Sequence, residues 1–306
     1  MPLVQRDNVK SGFVAILGRP NVGKSTLLNA LVGSKVSIVS PKAQTTRDAI
    51  QGIVTRPEGQ IVFVDSPGIH VPRQELGKRM MKEVGRAADG CQVLLVLVDA
   101  SKPTGRGDIA AVETAARAKV PSILCINKVD RLKNKNEVLP RIAELQEIHN
   151  FDEFIPISAL TGDGLKPLVD LILARLPEAP AFYPEDALTD QPERFMAAEM
   201  IRERILYESE QEVPHSTTVV VDQWKDTPKL LRLSATVYVE RAGQKAILLG
   251  PKGMKMKQIA TRARESMEER FGRKIFLEIF IKVKPNWRDQ SSFIRSLDRY
   301  RFPTGE

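Results

Sequence analysis

Residues 93–98 read VLLVLV and end at Asp99, a run with no polar position that could face water. A strand of this kind is buried on both faces, as in a parallel sheet flanked by helices rather than an antiparallel sheet with one wet face. Three further stretches share the pattern: 13–17 (FVAIL), 61–65 (IVFVD) and Ser122–Asn127 (SILCIN), each ending at a polar residue or a loop. Between them Lys24–Val32, 74–88, 109–118, 137–148 and 165–176 carry helical periodicity. The alternation predicts an α/β domain, a doubly wound sheet with helices on both faces. No apolar run approaches the roughly 20 residues that cross a bilayer, so transmembrane helices are not expected. The opening MPLVQRDNVK has no apolar h-region and no cleavage site, so a secreted precursor is not expected either.

At 306 residues the chain is too long for one ordinary domain and suits two. The stretch 177–192 (PEAPAFYPEDALTDQP) holds four prolines and four acidic residues, and reads as a linker between domains at 1–176 and 193–306. Charge is uneven across that boundary. Residues 181–220 carry 3 basic and 9 acidic side chains, whereas 221–306 carry 19 and 10, a net +9 suited to a polyanion. Beyond the linker the pattern reads helix (193–207), two strands (217–224 and 230–240), short helix (244–249), longer helix and a last strand (274–284). This αββααβ order predicts a smaller α+β domain followed by a tail, with Gly250-Pro-Lys-Gly253 between its two central helices. Cys91 and Cys125 border or interrupt apolar runs and read as buried free thiols in a reducing compartment.

Gly18-Arg-Pro-Asn-Val-Gly23-Lys24-Ser25 follows the first strand and opens the first helix, the context a phosphate-binding loop requires. Glycines let backbone N–H groups turn toward phosphate oxygens, and the helix N-terminus adds its positive end. Lys24 is expected on the β- and γ-phosphates and Ser25 on Mg²⁺. Asp65-Ser-Pro-Gly68 ends a strand 41 residues after Lys24, placing Asp65 for Mg²⁺ and the Gly68 N–H for the γ-phosphate. Asn127-Lys128-Val-Asp130 ends another. The Asp130 carboxylate only accepts, so it pairs with guanine N1–H and its exocyclic amine and not with adenine N1. Ser158-Ala159-Leu160 follows the run 154–157, where a backbone N–H can meet guanine O6.

These motifs resemble those of the translation-factor-related GTPases and, among them, the bacterial Era family. The resemblance runs through GRPNVGKSTLLNAL, SPKAQTTRD, DSPG, NKVD and SAL, past the linker through PERFMAAEMIRERIL, to the GxxG segment and Trp287-Arg288. It implies a P-loop GTPase domain followed by a type II KH domain that binds RNA. It implies a nucleotide site of Gly18, Asn21, Val22, Gly23, Lys24, Ser25, Thr26, Asp65, Gly68, Asn127, Lys128, Asp130, Ser158, Ala159 and Leu160, with Lys24, Thr46 and Gly68 as the groups serving hydrolysis. In such families the loop 34–48 is switch I, 66–77 is switch II, and a switch I threonine closes on Mg²⁺. Thr46 is favoured for this, and Thr45 is the fallback.

Ile69 stands where many GTPases carry the glutamine that orients the attacking water, so slow intrinsic hydrolysis is expected. By the same resemblance Asn21 is a candidate ligand for K⁺ in place of an arginine finger. His70, His149 and His215 are isolated, which disfavours a zinc site. Residues 241–288 hold 13 basic and 4 acidic side chains. In KH domains the GxxG loop packs on the nucleic-acid backbone, so Gly250, Lys252, Gly253, Lys255, Lys257 and Arg288 are the candidate RNA contacts. Ile247, Leu248, Met256 and Ile259 read mainly as core, and Phe276 and Phe280 as packing residues covered by a neighbouring element.

The family resemblance implies GTP/GDP and Mg²⁺ as ligands and the 3′ region of 16S rRNA, hence the 30S subunit and its maturation, as partner. It further implies a cytoplasmic monomer with no DNA partner and a peripheral inner-membrane fraction. The alternative is a signalling GTPase docking on a membrane or protein through its basic C-terminal domain.

Overall fold

The computed structural model describes residues 9–210 and 212–301. Most of the opening segment tested above for a secretion signal, residues 1–8, and the end of the expected tail, 302–306, lie outside the described residues. The chain divides into two compact units. One contains the residues up to Val39 with Thr46–Val71 and Arg79–Asp190; the other contains Ser40–Thr45, Pro72–Lys78 and the chain from Gln191.

The first unit is built on a seven-stranded sheet: β1 (Val9–Leu17), β2 (Ile50–Arg56), β3 (Gly59–Asp65), β4 (Val93–Asp99), β5 (Ser122–Asn127), β6 (Glu153–Ile157) and β7 (Glu178–Ala179). The order is β2-β3-β1-β4-β5-β6, with β7 paired to the start of β1. β1 runs parallel to both β3 and β4, and β4-β5-β6 continue parallel. The neighbours of β1 thus lie on opposite sides of it, the point at which open α/β sheets form a crevice beyond the carboxyl ends of their strands. Helices α1 (Lys24–Val32), α2 (Glu75–Asp89, within this unit from Arg79), α3 (Arg106–Ala118), α4 (Leu139–Gln146) and α5 (Leu165–Leu173) accompany the sheet. Every residue of β4 and β5 is buried, including the polar Asp99, Ser122 and Asn127 at their ends.

Two elements depart from the sequence reading. β2 was not anticipated: it pairs antiparallel with β3 from Ile50↔Asp65 to Arg56↔Gly59, and Gln51, Gly52 and Thr55 dilute its apolar signal. Gly52 is required because a Cβ there would lie 2.5 Å from Leu28 of α1. The stretch 177–190, expected as a linker, instead runs along the first unit as a strap. Pro177 and Leu188 accept from the Ser11 and Ile53 amides at 3.0 and 2.9 Å. Gln60 holds Phe182 and Tyr183, and Thr189 donates to the Gln51 carbonyl at 2.6 Å.

The second unit carries α6 (Glu193–Glu208), β8 (Thr218–Thr227), β9 (Leu230–Val239), α7 (Ala242–Leu249), α8 (Met254–Phe271), β10 (Ile275–Val283) and α9 (Ser291–Arg301). Its sheet runs β10-β9-β8, parallel between β9 and β10 and antiparallel between β8 and β9. Leu231, Leu233, Ala235, Val237 and Val239 turn one face of β9 into a core shared with Ile201 and Ile205 of α6 and Ile259, Ala263 and Met267 of α8. Val283, which alternation along β10 places on the same face as Ile275 and Ile281, is 40% exposed at the end of that strand. Helix α9 lies in the stretch read as tail and brings Phe293 against Tyr238 and Trp287, with ring centroids 5.1 and 6.1 Å apart.

Candidate functional site: a nucleotide cradle and a basic GxxG loop

The loop from β1 to α1 turns on residues that cannot carry other side chains. A Cβ on Gly18 would sit 2.6 Å from the Leu97 carbonyl, and one on Gly23 2.3 Å from the Asn127 amide. Asn21 lies in the left-handed region at φ 62 between them. Lys24 is buried at the first position of α1, and its Nζ donates to the Gly18 and Arg19 carbonyls at 3.1 Å each. Burial pulls its ammonium down to about 8, while the Asp65 carboxylate works in the opposite direction.

Asp65 ends β3 and gathers hydroxyls. Its Oδ2 accepts from Ser25 at 2.6 Å, Ser37 at 3.1 Å and Thr46 at 3.4 Å, and the Ser25 and Thr46 hydroxyls are 2.9 Å apart. Thr45 turns away, donating to the Lys42 carbonyl and lying 2.7 Å from the Ser40 hydroxyl. Of the two threonines, only Thr46 therefore meets Ser25 and Asp65. Burial raises the Asp65 carboxyl, opposed by Lys24 and the three hydroxyls. Its Oδ1 is buried with no hydrogen-bond partner. An orphaned carboxylate oxygen beside hydroxyl oxygens is the donor set of a hard divalent cation such as Mg²⁺, which takes one or two protein carboxylates and completes its shell with water and substrate phosphates. Among the described residues no three His, Cys, Asp or Glu side chains gather as a metal site.

Gly68 lies against the phosphate loop: a Cβ there would fall 2.7 Å from the Pro20 nitrogen, and the next amide, Ile69, donates to the Gly18 carbonyl at 3.1 Å. The Ile69 side chain is buried in the apolar cluster with Leu17, Val96, Ala111 and Val129. The position that carries a water-orienting glutamine elsewhere is thus part of the core in this chain.

At the far end Asn127 joins three loops. Its Nδ2 donates to the Val22 carbonyl at 2.8 Å, and its Oδ1 accepts from the Ala159 amide at 2.9 Å. The Ser158 hydroxyl donates to Asp130 Oδ1 at 2.6 Å, fixing the carboxylate beside the Ser158–Leu160 turn. Lys128, at φ 68, reaches back to the Asn21 carbonyl and to Asp99 Oδ2, both at 2.7 Å. Burial pushes Asp99 up, but the bonds from Lys128 and Ser101 win and hold its carboxyl below the ordinary value. Thr26 is half-buried in the first turn of α1, and Leu160 is 74% exposed.

In the second unit Gly250–Gly253 links α7 to α8. A Cβ on Gly250 would meet the Lys255 Cβ at 2.7 Å, and Gly253, at φ 77, caps α8 with open space around it. Lys252 and Lys257 are exposed and Lys255 is half-buried, so the loop and the start of α8 present cations beside a helix N-terminus. Arg288 departs from this group: its guanidinium donates to Glu240, ahead of α7, whereas the GxxG loop follows the other end of that helix. Leu248, Met256 and Ile259 are core, and only Ile247 of the expected apolar strip is exposed. Phe276 and Phe280, expected to be covered, are 46% and 53% exposed.

The family model described as a 50S ribosome-binding GTPase matches residues 13–128, and the KH domain model matches 212–288. A solved structure of Era from Aquifex aeolicus, a single-substitution variant bound to GDP and AlF4⁻, is 39% identical. It superposes with a TM-score of 0.91 over 96% of this chain and 100% of its own. An Era structure in complex with MgGDPNP and nucleotides 1506–1542 of 16S ribosomal RNA is 40% identical, with a TM-score of 0.92 over the same shares. The chain belongs to the Era family of GTPases. Family membership accounts for both halves, a P-loop GTPase fold and a KH fold.

Three contributors to the cradle escaped the sequence reading. Ser37 adds a hydroxyl to Asp65, Asp99 anchors Lys128, and Arg19 pairs with buried Asp108 of α3 at 3.1 Å. None lies within a nucleotide-binding motif at a position whose residue type announces the contact. Asp99 alone gave a signal, as the polar end of an apolar strand. Among the described residues no helix is long and apolar enough to cross a membrane.

Proposed function

We propose that the chain is a GTP-hydrolysing switch of the cytoplasm, with residues 1–176 as GTPase domain and 193–306 as KH domain, that binds the 3′ region of 16S rRNA and assists 30S subunit maturation. The observation that carries the reading is the orientation of Asp130 by Ser158 next to the Asn127 staple. It leaves a carboxylate set for the N1–H and amine of guanine, on the loop that Asn127 ties to the Val22 carbonyl.

In this reading Lys24 exchanges the carbonyls of Gly18 and Arg19 for the β- and γ-phosphates, and the Gly68 amide meets the γ-phosphate. Phosphoryl transfer leaves positioning and charge stabilisation as the protein's main tasks. Lys24 neutralises charge on the transferring group, and the switch I segment with Thr46 closes the site against water. Ser25, Thr46 and Asp65 would hold Mg²⁺, which would supply positive charge against the phosphates. The buried Ile69 cannot position water, so intrinsic turnover is slow, and Asn21 supplies an amide oxygen to a K⁺ ion in place of an arginine finger. Equal hydrolysis rates in Na⁺ and K⁺ buffers would remove Asn21 from that role.

The likeness to an Era solved with MgGDPNP and a 16S rRNA fragment supports the rRNA assignment, as does the net +9 of residues 241–288. The test is binding of a short single-stranded RNA of the 16S 3′ end, against a scrambled RNA, with GDP and with a non-hydrolysable GTP analogue. Tighter, sequence-dependent binding with the analogue, lost in Gly253→Asp, is expected. Equal binding of the scrambled RNA in both nucleotide states would leave a GTPase whose basic domain serves another partner.

A further inference from the structure

The outer face of the β10-β9-β8 sheet, turned away from α7 and α8, has two different halves. At one end Tyr238 is covered by Phe293 of α9, and Lys284 lies over the same Phe293 ring at 4.7 Å. At the other end Arg232, Phe276 and Phe280 are exposed, while Thr236 is buried. Register places Phe276 opposite Arg232, Glu278 opposite Ser234 and Phe280 opposite Thr236, with Lys225 and Gln223 of β8 completing the rows. Phe276 and Phe280 are both about half exposed, on the face that alternation sets opposite the core. Their neighbours Ile275 and Ile281 took that face.

Two features indicate what an occupant must be. The rings stand four residues apart on one strand, about 13 Å, too far to grip one ligand ring between them and suited to two separate ones. Three cations, Lys225, Arg232 and Lys282, are exposed around two carboxylates, Glu278 and Asp222, the latter already accepting from the Thr236 hydroxyl at 2.6 Å, and the Arg232 guanidinium lies over the Phe276 ring, 5.6 Å from its centroid. Flat apolar faces ringed by cations match a polyanion that carries flat rings. A sheet that stacks unpaired bases on exposed aromatics is an established mode of RNA recognition in another fold. Glu278, an acceptor only, then receives hydrogen bonds from base amino groups.

We propose that this open half-sheet is a second single-stranded RNA surface, separate from the GxxG loop, on which Phe276 and Phe280 each stack an unpaired base. The proposal rests on the RNA-binding reading above and extends it to the opposite side of the domain. It gives the chain two places to hold one strand, so that an RNA long enough to reach both gains from their linkage.

The test uses the full chain and a 4-thiouridine-substituted single-stranded RNA of about 30 nucleotides, crosslinked and digested with trypsin. Cleavage after Lys274 and Lys282 isolates 275–282 (IFLEIFIK), which carries both rings. Crosslinks on this peptide are expected, and they persist in Gly253→Asp, which impairs only the GxxG loop. Phe276→Ala/Phe280→Ala removes no buried side chain; binding of the RNA is expected to weaken about 10-fold or more, whereas Phe276→Tyr/Phe280→Tyr retains it. Crosslinks confined to 246–257, with unchanged affinity in the alanine variant, overturn the proposal and leave the GxxG reading standing. The absence of any crosslink in the unmodified chain overturns both. A concentration-dependent dimer in sedimentation that the alanine variant abolishes would assign the face to a second copy of the chain, and also overturns it.

Discussion

The two binding regions of this molecule are built by opposite means. In the nucleotide cradle nearly every functional side chain already has a protein partner: Lys24 holds two carbonyls, Asp65 three hydroxyls, Asn127 two loops and Asp130 a serine. The residues proposed to meet RNA, Lys252, Lys257, Phe276 and Phe280, instead lie at the surface. A preorganised buried site is rigid and selective, and a single substitution damages it severely. An exposed basic surface spreads its affinity over many weak, salt-sensitive contacts.

The sharpest break would come at Asn127. Asn127→Ala strands the Val22 carbonyl and the Ala159 amide, each worth about 1–3 kcal/mol when left unpaired in the interior. Calorimetric titration is expected to show GDP binding weakened about 100-fold, with a lowered melting temperature. Wild-type affinity would mean that the three loops hold together without their staple.

Ser158→Ala frees Asp130 to turn and also removes the acceptor of the Thr161 amide, so guanine nucleotide binding should drop about 10-fold, roughly one charge-assisted hydrogen bond. Selectivity for GDP over IDP, which lacks the exocyclic amine, should fall with it, since a mobile carboxylate no longer spans both donors. Undiminished selectivity would show that Asp130 is oriented by the ligand.

On the other side of the comparison, Lys252→Ala/Lys257→Ala should leave GDP affinity untouched and weaken RNA binding uniformly across sequences. The slope of log affinity against log salt should shrink by about 1–2. A sequence-selective loss would instead give these lysines base contacts.

The smallest effect is expected at the two thiols. Burial drives Cys125 far above the ordinary thiol range, and Cys91 is likewise raised by burial. Unfolded, both ionise near pH ~8.5. Above that pH the unfolded chain binds fewer protons than the native one, so these thiols leave stability unchanged below about pH 8.5 and lower it as pH rises further. At pH 8 a disulfide reagent should find no fast-reacting thiol in the native protein and two in denaturant. Prompt native reaction would show that the core around β4 and β5 opens readily.

How much of this was legible in the residues follows the same division. The strands β4 and β5 were readable because a strand buried on both faces has no polar position, and the P-loop because its glycines are forced by the Leu97 carbonyl and the Asn127 amide. β2 escaped notice because hairpin pairing with β3, rather than apolar content, makes it a strand. The strap 177–190 was hidden by its prolines, which exclude helix but leave carbonyls and side chains free to bond to Ser11, Ile53, Gln60 and Gln51. Phe276 and Phe280 were misread as covered, since alternation on an edge strand names two faces without saying which of them a third element covers. Arg288 was named through the family resemblance, and its bond to Glu240, 48 residues away, has no signature in the local sequence.

The burial of Ile69 has an evolutionary consequence. Gaining a glutamine there would require more than one codon's change of chemistry, because the new amide would enter an apolar cluster at a cost of about 1–3 kcal/mol. Against a typical margin of about 5–15 kcal/mol, such a variant would be disadvantaged before its water-orienting benefit could be selected. A lineage with this core is steered away from the glutamine solution and toward help from ions, loops or partners, and the timing of its switch becomes open to control from outside the chain.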